Sequence, residues 1–148
     1  MPKNSKLTTI GWRERVDLPD WGLHGVRAKV DTGARTSAID VANIEHISDD
    51  HVRFEVVSRL KPRKTDWIEA SLVRTSKVRP SSGSTQERAV CITRIRIGSF
   101  EYDVELSLVC RKGMLCRMLI GRTALKKRFV VDPSRTNVLS KTRSKNKD

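Results

Sequence analysis

The chain has 148 residues, and its 30 Lys and Arg residues outnumber 17 Asp and Glu residues, which gives a formal net charge of +13. This length fits one domain, and no segment approaches the roughly 20 consecutive apolar residues of a membrane-spanning helix. Residues 1–14 mix charged and apolar side chains and lack the apolar stretch of an export signal. We therefore expect no membrane segment and a cytoplasmic location, where cysteines that form no Cys-x-x-Cys pair stay reduced.

Short segments of β-branched or alternating apolar residues predict strands. In chain order they are residues 27–30, 52–58, 67–73, 89–97, 100–109 and 129–131. The pair Gly98-Ser99 predicts a hairpin with a type II′ turn. Helical periodicity is confined to the residues after Gly121, where we expect a helix of two turns at most. The sequence therefore predicts a mainly β protein.

Positive charge is concentrated toward the C-terminus, because residues 111–148 hold 12 Lys and Arg but only Asp132 and Asp148 as acids. Residues 134–148 have too little apolar surface to fold, so we expect a basic, disordered tail. Residues 1–9 are expected to be flexible, which leaves 10–133 as one folded domain. The charge attracts polyanions in general, but no RNA-reading motif is present, so nucleic acid is not expected as a specific ligand.

Two motifs carry the functional interpretation. Residues 28–39 form a strand-like run that ends at Asp31, Thr32 and Gly33 and continues into small residues. Residues 118–122 place apolar side chains directly before Gly121 and Arg122. Together the motifs resemble the retropepsin-like aspartic peptidases, in which Asp-Thr-Gly-Ala stands near the start of the subunit and an apolar-apolar-Gly-Arg segment, followed by a short helix, stands near its end.

The sequence is similar in particular to one bacterial branch of that superfamily, called ATP-dependent zinc proteases and associated with the RimK type of glutamate ligase. The similarity includes residues 10–14, 18–19, 28–38, 86–88, 106–109, 118–122 and 131–134. It implies a retropepsin-like closed β-barrel with a flap hairpin and one short C-terminal helix. No His-Glu-x-x-His motif and no ligand spacing of a known zinc site is present, so no metal or other cofactor is expected.

The chemistry of the Asp31 motif calls for a second copy of the chain. Hydrolysis by carboxylates uses two of them that share one proton, so that one activates a water while the other polarises the carbonyl. The chain has a single Asp-Thr-Gly and no internal repeat, so the second Asp31 is expected from a partner across a two-fold axis. Gly33 is expected to let the backbone approach this pair. The resemblance implies that Thr32 links the two loops and that Gly121 supports their packing.

Arg35 departs from the superfamily pattern, which often has Asp after Asp-Thr-Gly-Ala, paired with the Arg of the Gly-Arg segment. Arg35 and Arg122, with Ala34 beside them, are therefore expected to line the substrate site without an acid between them. Two explanations remain open. Either the acid comes from the substrate, or it is an internal residue such as Glu14, Glu87 or Asp132.

Residues 79–86 form a loop rich in Ser and Arg between two predicted strands, at the position of the retropepsin flap. Ser82, Gly83 and Ser84 are the expected flap residues. Two functions from different classes follow. The first is a homodimeric aspartic peptidase that hydrolyses acidic, glutamate-rich peptides or tails. The second is a catalytically weak retropepsin-fold module that binds acidic peptides or a glutamate-ligase partner. A nucleic-acid binder driven by net charge alone is a third hypothesis.

Overall fold

A computed structural model describes residues 6–60, 62–78, 86–110 and 117–140. These residues form ten strands, one α-helix and a 3-10 helix (Pro19–Trp21) between the first two strands. The elements are β1 (Thr8–Leu18), β2 (Leu23–Val30), β3 (Ser37–Asp40), β4 (Ala42–Ser48), β5 (His51–Leu60), β6 (Arg63–Val78), β7 (Gln86–Ile97), β8 (Phe100–Val109), β9 (Met118–Ile120), α1 (Arg122–Leu125) and β10 (Phe129–Thr136). The predicted mainly β fold with one short helix is confirmed, and all six predicted segments lie within strands.

The strands form one sheet in the order β10-β1-β2-β9-β3-β8-β7-β6-β5-β4, and β1 also pairs with β7. Among the described residues, the ladder pairing of β1 with β7 involves only Asp17 opposite Arg96, since the first half of β1 pairs with β10 and the first half of β7 pairs with β6. The sheet is therefore a partial ring, whereas the resemblance implied a closed barrel. Strands β6, β5 and β4 continue the sheet beyond β7, and Phe54 of β5 packs against Trp21 of the 3-10 helix with ring centroids 5.1 Å apart.

The core fills the inside of the ring with side chains that alternate along its strands. In β8, Val104, Leu106 and Leu108 are buried, as the alternating pattern of residues 100–109 predicts. The predicted hairpin between β7 and β8 is present, and Gly98 turns it with φ of +58°, a region that glycine adopts without steric cost. Phe100 at the start of β8 packs on Phe129, with ring centroids 4.8 Å apart.

Strand β9 is only three residues long, yet it positions the functional motifs. It inserts between β2 and β3, pairing parallel to Ala28–Val30 of β2 and antiparallel to Ala38 and Ile39 of β3. The chain then enters α1 directly, in the place where the sequence predicts a short helix. This insertion brings residues 121–123 against the loop that joins β2 to β3, residues 31–36.

Two expectations from the sequence concern the C-terminal tail and the flap loop. Residues 134–136 continue β10, and Ser140 is buried, so the ordered domain reaches further into the basic C-terminal segment than composition indicates. The cause is the buried carboxylate of Glu14, which accepts hydrogen bonds from the backbone of residues 138 and 139 and from the Ser140 hydroxyl. Strands β6 and β7 pair as far as Val78 opposite Gln86, and Ser82, Gly83 and Ser84 lie outside the described residues.

Candidate active site

The loop of residues 31–36 is fixed where it leaves β2. The Asp31 amide donates to the Ile120 carbonyl oxygen of β9 at 2.9 Å. The Ala34 amide donates back to the Asp31 carbonyl oxygen at 3.1 Å, which closes a turn. At the other end, the Gly121 amide donates to the Ser37 hydroxyl at 3.0 Å, a buried contact. Both ends of the loop are therefore held by the segment that runs from β9 into α1.

Asp31 carries its carboxylate at the tip of this fixed geometry. Its Oδ1 accepts the Gly33 amide hydrogen bond at 2.9 Å, which sets the orientation of the side chain. Asp31 is half-buried, whereas Thr32 and Gly33 are exposed. The structure thus presents an oriented carboxylate at the surface, next to two residues whose backbone is accessible.

Arg122 holds the loop from below. Its guanidinium nitrogen Nη1 donates to the carbonyl oxygens of Thr32 and Gly33, each at 3.2 Å, and its amide donates to the Ala34 carbonyl oxygen at 2.8 Å. These three bonds reach three successive residues of the loop. In this chain Arg122 donates its hydrogen bonds to carbonyl oxygens of the loop, where the superfamily pattern would place an acid beside it.

None of the three candidate internal acids pairs with Arg35 or Arg122 among the described residues. Glu14 in the middle of β1 is fully buried, and its carboxylate accepts hydrogen bonds from the amides of Gly11 and Val138. The Asp132 carboxylate accepts both the amide and the hydroxyl of Ser134, which hold the pKa of Asp132 below its usual value. Glu87 is exposed on β7.

Arg35 differs from Arg122, because its backbone is held but its side chain is exposed. The Arg35 carbonyl oxygen accepts the Thr123 amide at 3.1 Å and the Thr123 hydroxyl at 3.0 Å. Its guanidinium makes no ion pair within the described part of the chain. Of the two arginines expected at the substrate site, Arg122 is engaged through Nη1 with loop carbonyl oxygens, and Arg35 makes no such side-chain bond among the described residues.

The two glycines of the motifs have different surroundings. A β-carbon on Gly121 would lie 2.7 Å from the carbonyl carbon of Thr36 and 2.9 Å from the carbonyl oxygen of Ala34. A β-carbon on Gly33 would meet only the Asp31 Oδ1, at 3.3 Å. Gly121 is therefore required by packing within one chain, and Gly33 is not.

Two cavities flank the loop. The first, of about 930 Å³, is largely apolar and runs from Thr32 along α1 and the start of β10, with Leu125, Phe129 and Val130 in its wall. The second, of about 780 Å³, lies on the other side, between the loop and strands β6, β7 and β8. Four arginines line this second cavity, which we call the arginine groove: Arg35, Arg74, Arg88 and Arg128. Only Arg35 was expected at the substrate site from the sequence.

The pairing register of β6 and β7 explains why the other arginines of the groove come together. Arg74 pairs with Val90, and Ser76 pairs with Arg88. This register places Arg74, Ser76 and Arg88 on the same face, because directly opposed residues, and residues two apart along a strand, point to the same side of a sheet. The strand segments predicted from the sequence carry no information on this register.

No group of three or more His, Cys, Asp or Glu side chains that could hold a metal ion occurs among the described residues. Within the same residues, no helix has the length and apolar character needed to cross a membrane.

Comparisons with known proteins bear on this site. The sequence model of a family described as "RimB-like: Retropepsin-like aspartic endopeptidase RimB" matches residues 9–142. The chain is 33% identical over 129 residues to a probable alpha-L-glutamate ligase of Desulfotalea psychrophila, and 32% identical over 139 residues to one of Parasynechococcus marenigrum. These alignments cover 84% and 90% of this chain but 28% and 30% of the relatives, so the chain spans less than a third of their length.

The fold is similar to a solved structure from Legionella pneumophila, that of the protein Lpg0085, which is described as having unknown function. The TM-score is 0.75 at 27% identity, and the match covers 90% of this chain and 99% of that one. The family match covers the Asp31 loop, β9 and α1 together with most of the remaining sheet. The chain belongs to the RimB-like family of retropepsin-like aspartic endopeptidases.

Proposed function

We propose that the protein is a homodimeric aspartic peptidase that hydrolyses acidic, glutamate-rich peptides, with Asp31 of each copy supplying one carboxylate of the active site. The observation that carries the proposal is the oriented, half-buried Asp31 carboxylate on a loop fixed from both ends, in a chain of the retropepsin-like family. One copy offers one Asp-Thr-Gly, so a complete dyad needs two.

In this reaction water is the nucleophile, and no covalent bond forms between the enzyme and the substrate. One carboxylate of the dyad removes a proton from water, and the water oxygen attacks the carbonyl carbon of the scissile amide. The other carboxyl, which carries the shared proton, gives it to the carbonyl oxygen. The first carboxyl then gives the proton that it took from water to the amide nitrogen, the other carboxylate takes a proton back from a hydroxyl of the tetrahedral intermediate, and the C–N bond breaks. The products are a carboxylic acid and an amine, and the dyad again holds one proton.

The surface around Thr32 supports the proposed dimer. Thr32 and Gly33 are exposed beside Asp31, and the apolar cavity begins at Thr32. Val130, in the wall of this cavity, is 46% exposed. An apolar cavity with an exposed apolar side chain next to a half-complete site is typical of a surface that a second copy covers.

Acidic peptides are proposed as the substrate on two grounds. The net charge of +13 attracts anionic ligands. In addition, the curated relatives are named probable alpha-L-glutamate ligases, and this chain matches only a part of each. A domain that accompanies a glutamate ligase is well placed to act on glutamate-rich products or to associate with the ligase.

An assay on oligoglutamate peptides tests the proposal. Wild type and Asp31→Asn are incubated with oligoglutamate and with oligoglutamine of the same length, and products are identified by mass spectrometry. We expect cleavage of oligoglutamate by wild type and none by Asp31→Asn. The relatives' names, which mention a ligase and no protease, favour the binding module as the second candidate. Binding of oligoglutamate without cleavage by wild type would establish that second function.

A further inference from the structure

The arginine groove lies directly beside the proposed catalytic loop. Ala34, Arg35 and Thr36 of the loop line it, together with residues of β6, β7 and β8 and with Thr123 and Ala124 of α1. Its lining therefore begins three residues after Asp31 in the chain. A peptide bound at Asp31 that follows the loop would reach this groove with residues near its scissile bond.

The charges that line the groove do not balance. Its two acids are already engaged: Glu105 pairs with Arg74, and Asp103 pairs with Arg94, which lies outside the groove, at 3.2 Å. Arg35, Arg88 and Arg128 remain without a carboxylate partner among the described residues. The four arginines of the lining outnumber its two carboxylates, so the groove favours a ligand that brings negative charge.

One of these three cations has a structural role. The guanidinium of Arg128 lies 3.8 Å from the centroid of the Tyr102 ring, and the Tyr102 hydroxyl donates to the Ala124 carbonyl oxygen at 2.7 Å. Tyr102 and Arg128 thus form a fixed wall between α1 and β8. Within the described ranges, Arg35, which is exposed, and Arg88, which is half-buried on β7, make no such ring contact.

We propose that Arg35 and Arg88 are the specificity-determining residues of this chain, and that together they bind the carboxylates of two acidic residues of one peptide in the arginine groove. This inference rests on the proposed function and identifies the side chains that recognise its substrate. The second substrate-binding arginine is thus Arg88, which lines the groove, and not Arg122, whose guanidinium holds the catalytic loop. Arginine suits this task because its planar group donates two parallel hydrogen bonds to a carboxylate.

The experiment measures peptide binding in the Asp31→Asn background, so that no peptide is cut. Fluorescence anisotropy compares oligoglutamine with the same peptide carrying one Glu or two adjacent Glu residues. Salt is held at about 0.5 M, where the screening length is about 4 Å and the diffuse field of the protein contributes little. The variants are Arg35→Gln and Arg88→Gln. The control is Arg27→Gln, which removes the same charge from an exposed site on β2 outside the groove.

We expect each Glu to improve affinity by roughly tenfold, and each groove variant to remove one such step while Arg27→Gln keeps both. Equal affinity of the Glu and Gln peptides, including no measurable binding of either, overturns the proposal. So does a Glu preference that survives in both groove variants. Equal affinity for one and two Glu residues overturns the binding of two carboxylates. Since Arg35 is exposed, Arg35→Gln decides the matter even if Arg88→Gln folds poorly.

The wild-type cleavage assay separates this inference from the proposed function. Arginine-dependent binding without cleavage by wild type would leave the groove assignment standing and contradict the peptidase. Cleavage with the same Glu-to-Gln ratio in wild type, Arg35→Gln and Arg88→Gln would do the reverse.

Discussion

Gly121 approaches Thr36 so closely that a β-carbon on Gly121 would lie 2.7 Å from the Thr36 carbonyl carbon. This contact joins the end of β9 to the loop that carries Asp31, and backbone atoms on both sides leave little room to adjust. We expect Gly121→Ala to lower the free energy of unfolding by about 1–3 kcal/mol, as overpacking does elsewhere. Chemical denaturation measures the effect.

Gly33→Ala is the matched control for Gly121→Ala, because its β-carbon would meet only the Asp31 Oδ1, at 3.3 Å. We expect its stability to stay within about 0.5 kcal/mol of wild type. Equal destabilisation by the two substitutions would contradict the assignment of Gly121 as the packing glycine.

Arg122 is a positioning residue, so its loss should act on the rate and not on the choice of substrate. Arg122→Lys keeps the charge but cannot reach the carbonyl oxygens of Thr32 and Gly33 with the same planar group. We expect kcat to fall by a similar factor for Glu- and Gln-rich peptides, with KM little changed. A loss confined to Glu-rich peptides would place Arg122 in the substrate site instead.

Glu14 anchors the C-terminal segment. Its buried carboxylate accepts N–H bonds from Gly11, Val138 and Leu139 and the hydroxyl bond from Ser140. Glu14→Gln would turn an amide NH2 toward some of these donors, so we expect a loss of about 3 kcal/mol in unfolding free energy and faster hydrogen exchange at residues 138 and 139. Glu87→Gln, on an exposed site of β7, should change neither quantity. Unchanged exchange in Glu14→Gln would refute the anchor.

The buried thiol of Cys91 should make the unfolding free energy fall as the pH rises above 9. Its side chain is fully buried, and burial raises the pKa of the thiol from 9.0 to about 11. The unfolded chain therefore ionises first, and the unfolding free energy should fall by about 2–3 kcal/mol between pH 9 and 11. Cys91→Ala should flatten this part of the profile relative to wild type. Burial also raises the pKa of Tyr102 to about 12, an effect common to both proteins. Parallel profiles would contradict the prediction.

The β-branched and alternating apolar segments predict β2, β5, β6, β7, β8 and β10, but the sequence does not predict β1, β3, β4 or β9. The register of β1 is irregular between Gly11 and Arg13 and again between Val16 and Leu18, so its buried positions do not alternate regularly, and the buried Glu14 interrupts any apolar pattern. Strand β9 has only three residues, too few for periodicity to indicate a strand. Its pairing depends on β2 and β3, which lie about eighty residues earlier in the chain.

The same distinction applies to the site. The Asp31 and Gly121-Arg122 motifs are visible in the sequence, and the structure brings them together through residues 31–36. The bonds that Arg122 makes are not visible, because carbonyl oxygens carry no side-chain signature. The order of residues 137–140 depends in turn on Glu14, more than a hundred residues away along the chain, which local composition cannot show.

A mixing experiment tests most directly whether two copies of Asp31 form one active site. Wild type at constant concentration is titrated with Asp31→Asn, and oligoglutamate cleavage is measured after the subunits have exchanged. We predict that the rate falls as the inactive chain captures wild-type subunits in mixed dimers, and that the rate per wild-type chain rises with concentration when no variant is present. A rate per chain that is independent of concentration and unaffected by Asp31→Asn, or cleavage by Asp31→Asn itself, would contradict the account.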